Sequence, residues 1–287
     1  MLLAPLGTLA MPAASATAAS GKMTLALHQN TSAAAGYRKS LEGWAKAGIK
    51  NVEITANLLD EFLKTDSLAA AKRVLTDNGL TPVDAACGVN GLWEPNPNHA
   101  AALDSLKSRC EQLATLGLTR FYAPVTGTAK YTADDFKTGV DHMRAVGDVA
   151  KAFSMTAMFE FTRASTFIAT LGSALRMSHE AAHPSLKVLF DCYHFWSGQS
   201  KFEDLDSVKP GDIGHVHFQD VPDMPREMLD MFSRYIPGDG ISPLNAILTK
   251  LAAAGYSGPL SVELFLPRLD RKSTRLNSSH VSESRMP

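Results

Sequence analysis

The sequence predicts an α/β fold, a (β/α)8 TIM barrel, on three observations. Eight short apolar segments alternate with helical ones, a count that suits a barrel of about 250 residues. Those segments are near-continuous apolar runs, as in a parallel sheet covered on both faces. The turn after the first of them reads HQNTSAAAG, without the glycine-rich phosphate turn of a doubly wound open sheet.

The elements follow in order. MTLALH (23–28) reads as the first strand, and AGYRKSLEGWAKAG as a helix that ends on Gly48. KNVEIT is the second strand. DSLAAAKRVLTDNG is a helix capped by Asp66 or Ser67 and stopped by Gly79, since short polar oxygens hold the first N–H groups and glycine accepts the left-handed exit. LTPVDAA is extended. NPNHAAALDSLKSRCEQLATLG is a long helix with apolar residues at helical spacing. TRFYAP, a helix over 132–153, MTAMFEF and a helix over 164–182 come next. LKVLFD, a short helical stretch near 202–208, IGHVHF, SPLNAILTKLAAAG and LSVELF complete the series. Alternating units of this kind close with right-handed crossovers. No eighth helix follows LSVELF, so the barrel is expected to lack its final helix.

Both ends read as foreign to the domain. Residues 1–22 are an alanine-rich leader with no basic residue before Lys22. This is either a clipped export signal or a mis-started leader, periplasmic in the first case and cytoplasmic in the second. Residues 271–287 read as a foreign, disordered tail, which leaves 23–270 as the barrel. The net charge of −1 excludes the basic excess of a nucleic-acid binder. The first apolar run is short and holds Pro5, which excludes a membrane span. Cys87, Cys110 and Cys192 lack disulfide or zinc spacing and read as buried thiols. A barrel face left open admits a homodimer.

In such barrels chemistry sits at the C-terminal strand ends. His28, Glu53, Glu160, Asp191, His217 and Glu263 stand there. Four of them, on the fifth to eighth strands, form one set: Glu160, Asp191, His217 and Glu263. Three bare carboxylates at apolar strand ends would repel and lose hydration. A divalent cation removes both problems, and three carboxylates with one imidazole suit Mn²⁺ first, with Mg²⁺, Co²⁺ or Fe²⁺ as alternatives. His215 and His217 share one face of their strand. Trp93, in GVNGLWEPNPN, is placed either to stack on a sugar face or to pack inside its loop, and His28 is placed to meet substrate.

LFDCYHFW, GHVHFQDVPDMPRE and IPGDGISPLNAILTKLAAAGYSGPLSVELF resemble the xylose isomerase-like TIM-barrel family over residues 23–267. That family includes sugar phosphate isomerases and epimerases, hydroxypyruvate isomerases, ketose 3-epimerases and inosose dehydratases. The resemblance implies one divalent metal on Glu160, Asp191, His217 and Glu263. It makes His215 a supporting interior residue and has Asp220 shape the substrate loop. It implies that His194, three residues after Asp191, binds substrate oxygen, and that Arg226 holds a hydroxyl, carboxylate or phosphate. The loop after Glu160 reads FTRASTF, without the second acid of the ketose 3-epimerases.

The activity so implied is proton transfer on a small sugar or hydroxy-carbonyl compound through a metal-stabilised enediolate, with Glu160 and Glu263 as the catalytic acid–base pair. Loss of a β-hydroxyl from the same intermediate would make the protein a dehydratase. A non-catalytic sugar-binding barrel is the third reading. An endonuclease IV-like enzyme is disfavoured, because it needs more histidine ligands and a basic groove.

Overall fold

A computed structural model describes residues 22–266. Most of the expected leader, the tail and the place of a final helix lie outside the described residues. Eight parallel strands close into a barrel in sequence order. They are β1 (Thr24–His28), β2 (Asn51–Thr55), β3 (Thr81–Ala86), β4 (Arg120–Pro124), β5 (Thr156–Glu160), β6 (Leu186–Asp191), β7 (Ile213–His217) and β8 (Pro259–Val262). Closure comes from β8 lying beside β1, with Leu25 opposite Leu260. The helices are α1 (Gly36–Lys46), α2 (Ala56–Leu63), α3 (Leu68–Asp77), α4 (His99–Thr115), α5 (Ala133–Ala152), α6 (Leu171–Ala181), α7 (Cys192–Ser197) and α8 (Leu244–Ala253).

Local chemistry sets these boundaries. Ser67 opens α3 by accepting the Ala70 N–H, and Gly79 leaves it at φ +61, where a side chain would be strained. Thr132 and Asp135 cap α5 reciprocally. The helix expected over 164–182 starts only at Leu171. Ser165 Oγ accepts the N–H groups of Phe167 and Ile168, which holds a turn, and Thr170 then caps α6 through the Ser173 N–H. The stretch near 202–208 is a 3-10 turn over Phe202–Ser207. Two helices were not expected, α2 and α7. Each follows directly on a strand, too short for periodicity to declare it.

A shell between strands and helices holds Leu41, Ile54, Phe121, Phe159, Val188 and Ile247. Each such side chain contributes roughly 1.5–3 kcal/mol by leaving water, so this shell carries the stability. The lumen is different. Its apolar filling is Tyr122, Met158 and Leu189, and Gly214 makes room for it, since a Cβ there would lie 2.5 Å from Met158 Sδ. Much of the rest is polar and buried: His28, Glu53, Asp84, Glu160, Asp191, His215, His217 and Glu263. Charge at that depth is costly unless partnered. The three cysteines are free and buried. Among the described residues no helix is long and apolar enough to cross a membrane.

Candidate metal centre

Parallel register brings the strand ends to one rim. Glu160, Asp191 and His217 are the last residues of β5, β6 and β7, and Glu263 follows β8 directly. Asp191 lies opposite His217, and His217 opposite Ser261. Around His217 Nδ1 stand Glu160 Oε1 at 3.1 Å, Glu263 Oε2 at 3.4 Å and Asp191 Oδ2 at 3.5 Å. One donor atom from each of the four residues lies within 4.8 Å of all the others. These are the separations of ligands sharing one small ion with bonds of about 2.1 Å. Three oxygens and one imidazole nitrogen form a donor set that a divalent cation fits.

The carboxylates also have a cationic partner in the chain. Arg234, 4% exposed, donates from Nη1 to Glu263 Oε2 at 2.8 Å and to Asp191 Oδ2 at 3.1 Å. Its plane lies between the rings of Tyr193 and Phe265. Burial alone would raise the Asp191 carboxyl, but Arg234, His194 and His217 outweigh it and hold the group well below the usual carboxylate range. Burial likewise opposes ionisation of Glu263, and His217, His28 and Arg234 prevail there too. Glu160 lacks the guanidinium. Burial pushes it up to about 8 despite His217, with Asp191 and Glu263 adding repulsion. Burial disfavours a charged His217, but Glu53 and Glu263 lead the carboxylates that keep it protonated well above its ordinary range.

His194, Arg234 and Gln219 surround Asp191. His194 Nδ1 accepts the Arg163 N–H at 3.2 Å, so its proton sits on Nε2, 3.3 Å from Arg234 Nη2. Burial lowers this imidazole to about 4 and keeps it neutral. Arg234 and His194 thus stand side by side next to Asp191. Gln219 donates to Asp191 at 2.7 Å. Gln219 Oε1 and Arg234 Nε are buried with no partner. Asp220 anchors the loop above the site. It accepts the N–H groups of Gly238, Gly240 and Ser242. Gly240 is required there, because a Cβ would fall 2.1 Å from the Val221 carbonyl oxygen.

The four expected ligands therefore meet, and His194 stands beside them. His28 lies below them, with Nε2 3.0 Å from the Tyr122 hydroxyl and 3.6 Å from Glu263. Arg226 stands outside this cluster, and of the two placements open to Trp93 the packed one is found. Arg226 is exposed and lies over the Trp196 ring at 4.1 Å; the arginine inside the site is Arg234, which directly precedes YIPGDG. Trp93 is 1% exposed, donates its indole N–H to the Ala123 carbonyl and packs on Phe159. It is a wall of the core without a free face for stacking. Glu53 is the third residue of β2, not a strand end, and sits deeper in the lumen. Gln219 was legible, since it continues the two-residue alternation of His215 and His217.

Fold and site together define an eight-stranded parallel barrel with a buried acidic, imidazole-bearing cluster at its C-terminal rim. The chain belongs to the xylose isomerase-like TIM barrel family, which it matches over residues 41–280. It is similar to an inosose isomerase of Halalkalibacterium halodurans, 27% identical over 233 residues that span 80% of this chain and 83% of the relative. It is also similar to a 3-dehydroshikimate dehydratase of Pseudomonas putida, 28% identical over 253 residues, 84% of this chain but 38% of that protein. Among solved structures, that of the IolI protein with a binding zinc atom has the same fold, with a TM-score of 0.78 at 24% identity, over 85% of this chain and 90% of that one.

Proposed function

We propose that this chain is a divalent-metal-dependent isomerase or epimerase acting on a small sugar or hydroxy-carbonyl compound. The observation that carries this reading is the meeting of Glu160, Asp191, Glu263 and His217 Nδ1 around one point. The inosose isomerase and the zinc-bearing structure among its relatives support it. The ion, when bound, supplies a Lewis acid for negative charge developing on substrate oxygens. Mn²⁺ best suits the donor set, and the relative's zinc makes Zn²⁺ a second ion to load.

The chain's own residues supply the rest. Glu160 and Glu263 reach the same volume from β5 and β8. One takes the proton alpha to the substrate carbonyl, and the other returns a proton to the neighbouring carbon or to the opposite face. Arg234 and the Nε2–H of His194 hold a substrate oxygen and fix the carbon between the two carboxylates. The Tyr193 and Phe265 rings beside Arg234 and the loop pinned by Asp220 keep water away.

The test loads the full chain with Mn²⁺ or Zn²⁺, dialyses it and measures metal by mass spectrometry. Ketoses and inososes are then screened for deuterium uptake from D2O. About one ion per chain, lost in Glu160→Gln/Glu263→Gln, together with carbon-bound deuterium supports the reading. A folded chain that takes up no metal overturns it. The dehydratase relative favours one second reading, in which the same proton abstraction is followed by loss of a β-hydroxyl. A product lighter by one water would establish that reading instead.

A further inference from the structure

Three imidazoles converge on one buried carboxylate beneath the ligand set. Glu53 is fully buried. Its Oε1 lies 3.0 Å from His217 Nε2 and 3.3 Å from His28 Nε2, and its Oε2 lies 3.1 Å from His215 Nε2. No lysine or arginine makes an ion pair with it among the described residues. A carboxylate only accepts hydrogen bonds, so Glu53 selects the ring tautomers around it. His28 shows this directly. Its Nδ1 accepts the Asn30 N–H at 3.0 Å, so its ring proton is on Nε2, the atom facing Glu53. By the same rule His215 and His217 present Nε2–H to the two oxygens of Glu53.

We infer that Glu53 is the positioning residue of the metal centre: by taking the Nε2 protons of His215 and His217, it commits His217 Nδ1 to the cation. This rests on the metal reading given above. Nδ1 is also the atom ringed by Glu160, Asp191 and Glu263, whose carboxylates hold a proton on it that a cation must displace. The same tautomers speak against a cation among His28, Glu53 and His217, although their donor atoms are close enough. Both imidazole atoms facing Glu53 carry protons and offer no lone pair. His215 steers the carboxylate: its bond to Oε2 fixes the rotation of Glu53 and so aims Oε1 at His217. The H-x-H spacing of β7 thereby gains a reason. One histidine is a ligand, and the other holds the group that orients the ligand. A carboxylate behind a ligating histidine fixes its ring and raises its basicity, and its loss weakens metal binding about 10- to 100-fold.

Glu53→Gln separates positioning from bulk. Glutamine keeps the size but offers one oxygen and one NH2 to three imidazoles that all donate. One histidine must then turn its ring or move its proton. The full chain, labelled with ¹⁵N-histidine and loaded with Zn²⁺, is examined by long-range ¹H–¹⁵N correlation. The expected result is a His217 ring with metal on Nδ1 and the proton on Nε2. Chelator competition should show Zn²⁺ held about 10- to 100-fold more weakly by Glu53→Gln, with an unchanged circular dichroism spectrum. Coordination of wild-type His217 through Nε2 would overturn the inference, as would a folded Glu53→Gln that binds within twofold of wild type. Should the variant fail to fold, the wild-type tautomer decides alone. A wild-type chain that binds no Zn²⁺ sinks the metal reading and the inference together. Metal uptake with affinity indifferent to Glu53 sinks only the inference.

Discussion

Replacing Arg234 by methionine should make the stability of this protein depend on its metal. Methionine fills much of the space between Tyr193 and Phe265 but carries no charge. The guanidinium it removes lies 2.8 Å from Glu263 and 3.1 Å from Asp191. At an effective dielectric near 20, each contact is worth on the order of 5–6 kcal/mol before desolvation. Desolvation of the buried ions takes back several kcal/mol, so loss of one partner costs about 3–5 kcal/mol net. That cost applies when nothing else neutralises the two carboxylates. A bound cation does so, and in excess Mn²⁺ the cost should fall below about 2 kcal/mol. The variant should also bind Mn²⁺ more tightly, because Arg234 competes for the same two oxygens. Urea unfolding in chelator and in excess Mn²⁺ gives both numbers. An equal cost in the two conditions, or a cost under about 1 kcal/mol in chelator, would refute the electrostatic account of Arg234.

Three further outcomes are expected. Glu160 has its carboxyl raised from 4.5 to about 8, so its contribution is fully present below pH 4.5 and is lost as pH rises through 8. Glu160→Gln should therefore flatten the pH dependence of metal-free stability over that window and stabilise the chain at pH 8 by at least about 1 kcal/mol, while losing metal. Equal slopes in chemical denaturation at pH 5 and pH 8 would contradict this. Trp93→Phe should lose about 1 kcal/mol, because the buried indole hydrogen bond to the Ala123 carbonyl is lost, yet keep KM; Arg226→Ala should change neither. A large KM increase in either variant would restore these residues to the substrate site. Asp220→Ala strips partners from the N–H groups of Gly238, Gly240 and Ser242. Hydrogen exchange should become fast across 236–242 with the barrel strands still protected, and unchanged exchange there would show that the anchor is dispensable.

The barrel was legible because its signals are local. Eight apolar runs, the cap at Asp66 or Ser67 and the exit at Gly79 each declare themselves within a few residues, and the strand order follows from alternation. α2 and α7 escaped because they are short. The late start of α6 depends on the Ser165 turn, which competes with the helix for N–H groups of its first turn.

The site was legible in part, for the same physical reason. A carboxylate or histidine that ends an apolar strand is conspicuous in one dimension, so Glu160, Asp191, His217 and Glu263 could be named before any fold was in hand. Arg226 and Arg234 are indistinguishable by composition. Which of them enters the lumen is decided by the Asp220 anchor and by the antiparallel bridge of Asp220 to Tyr235, both of which exist only once β7 and its loop are folded. Trp93 looks like a binding aromatic until the Ala123 carbonyl arrives from β4. Glu53 reads in NVEIT as one more strand-end acid; its place below the rim is set when His28, His215 and His217 meet it from β1 and β7. The sequence by itself determined four of the rim residues, Glu160, Asp191, His217 and Glu263. Only the closure of the barrel, which brings β1, β2 and β7 around one lumen, decided which charges face one another and where the protons between them sit.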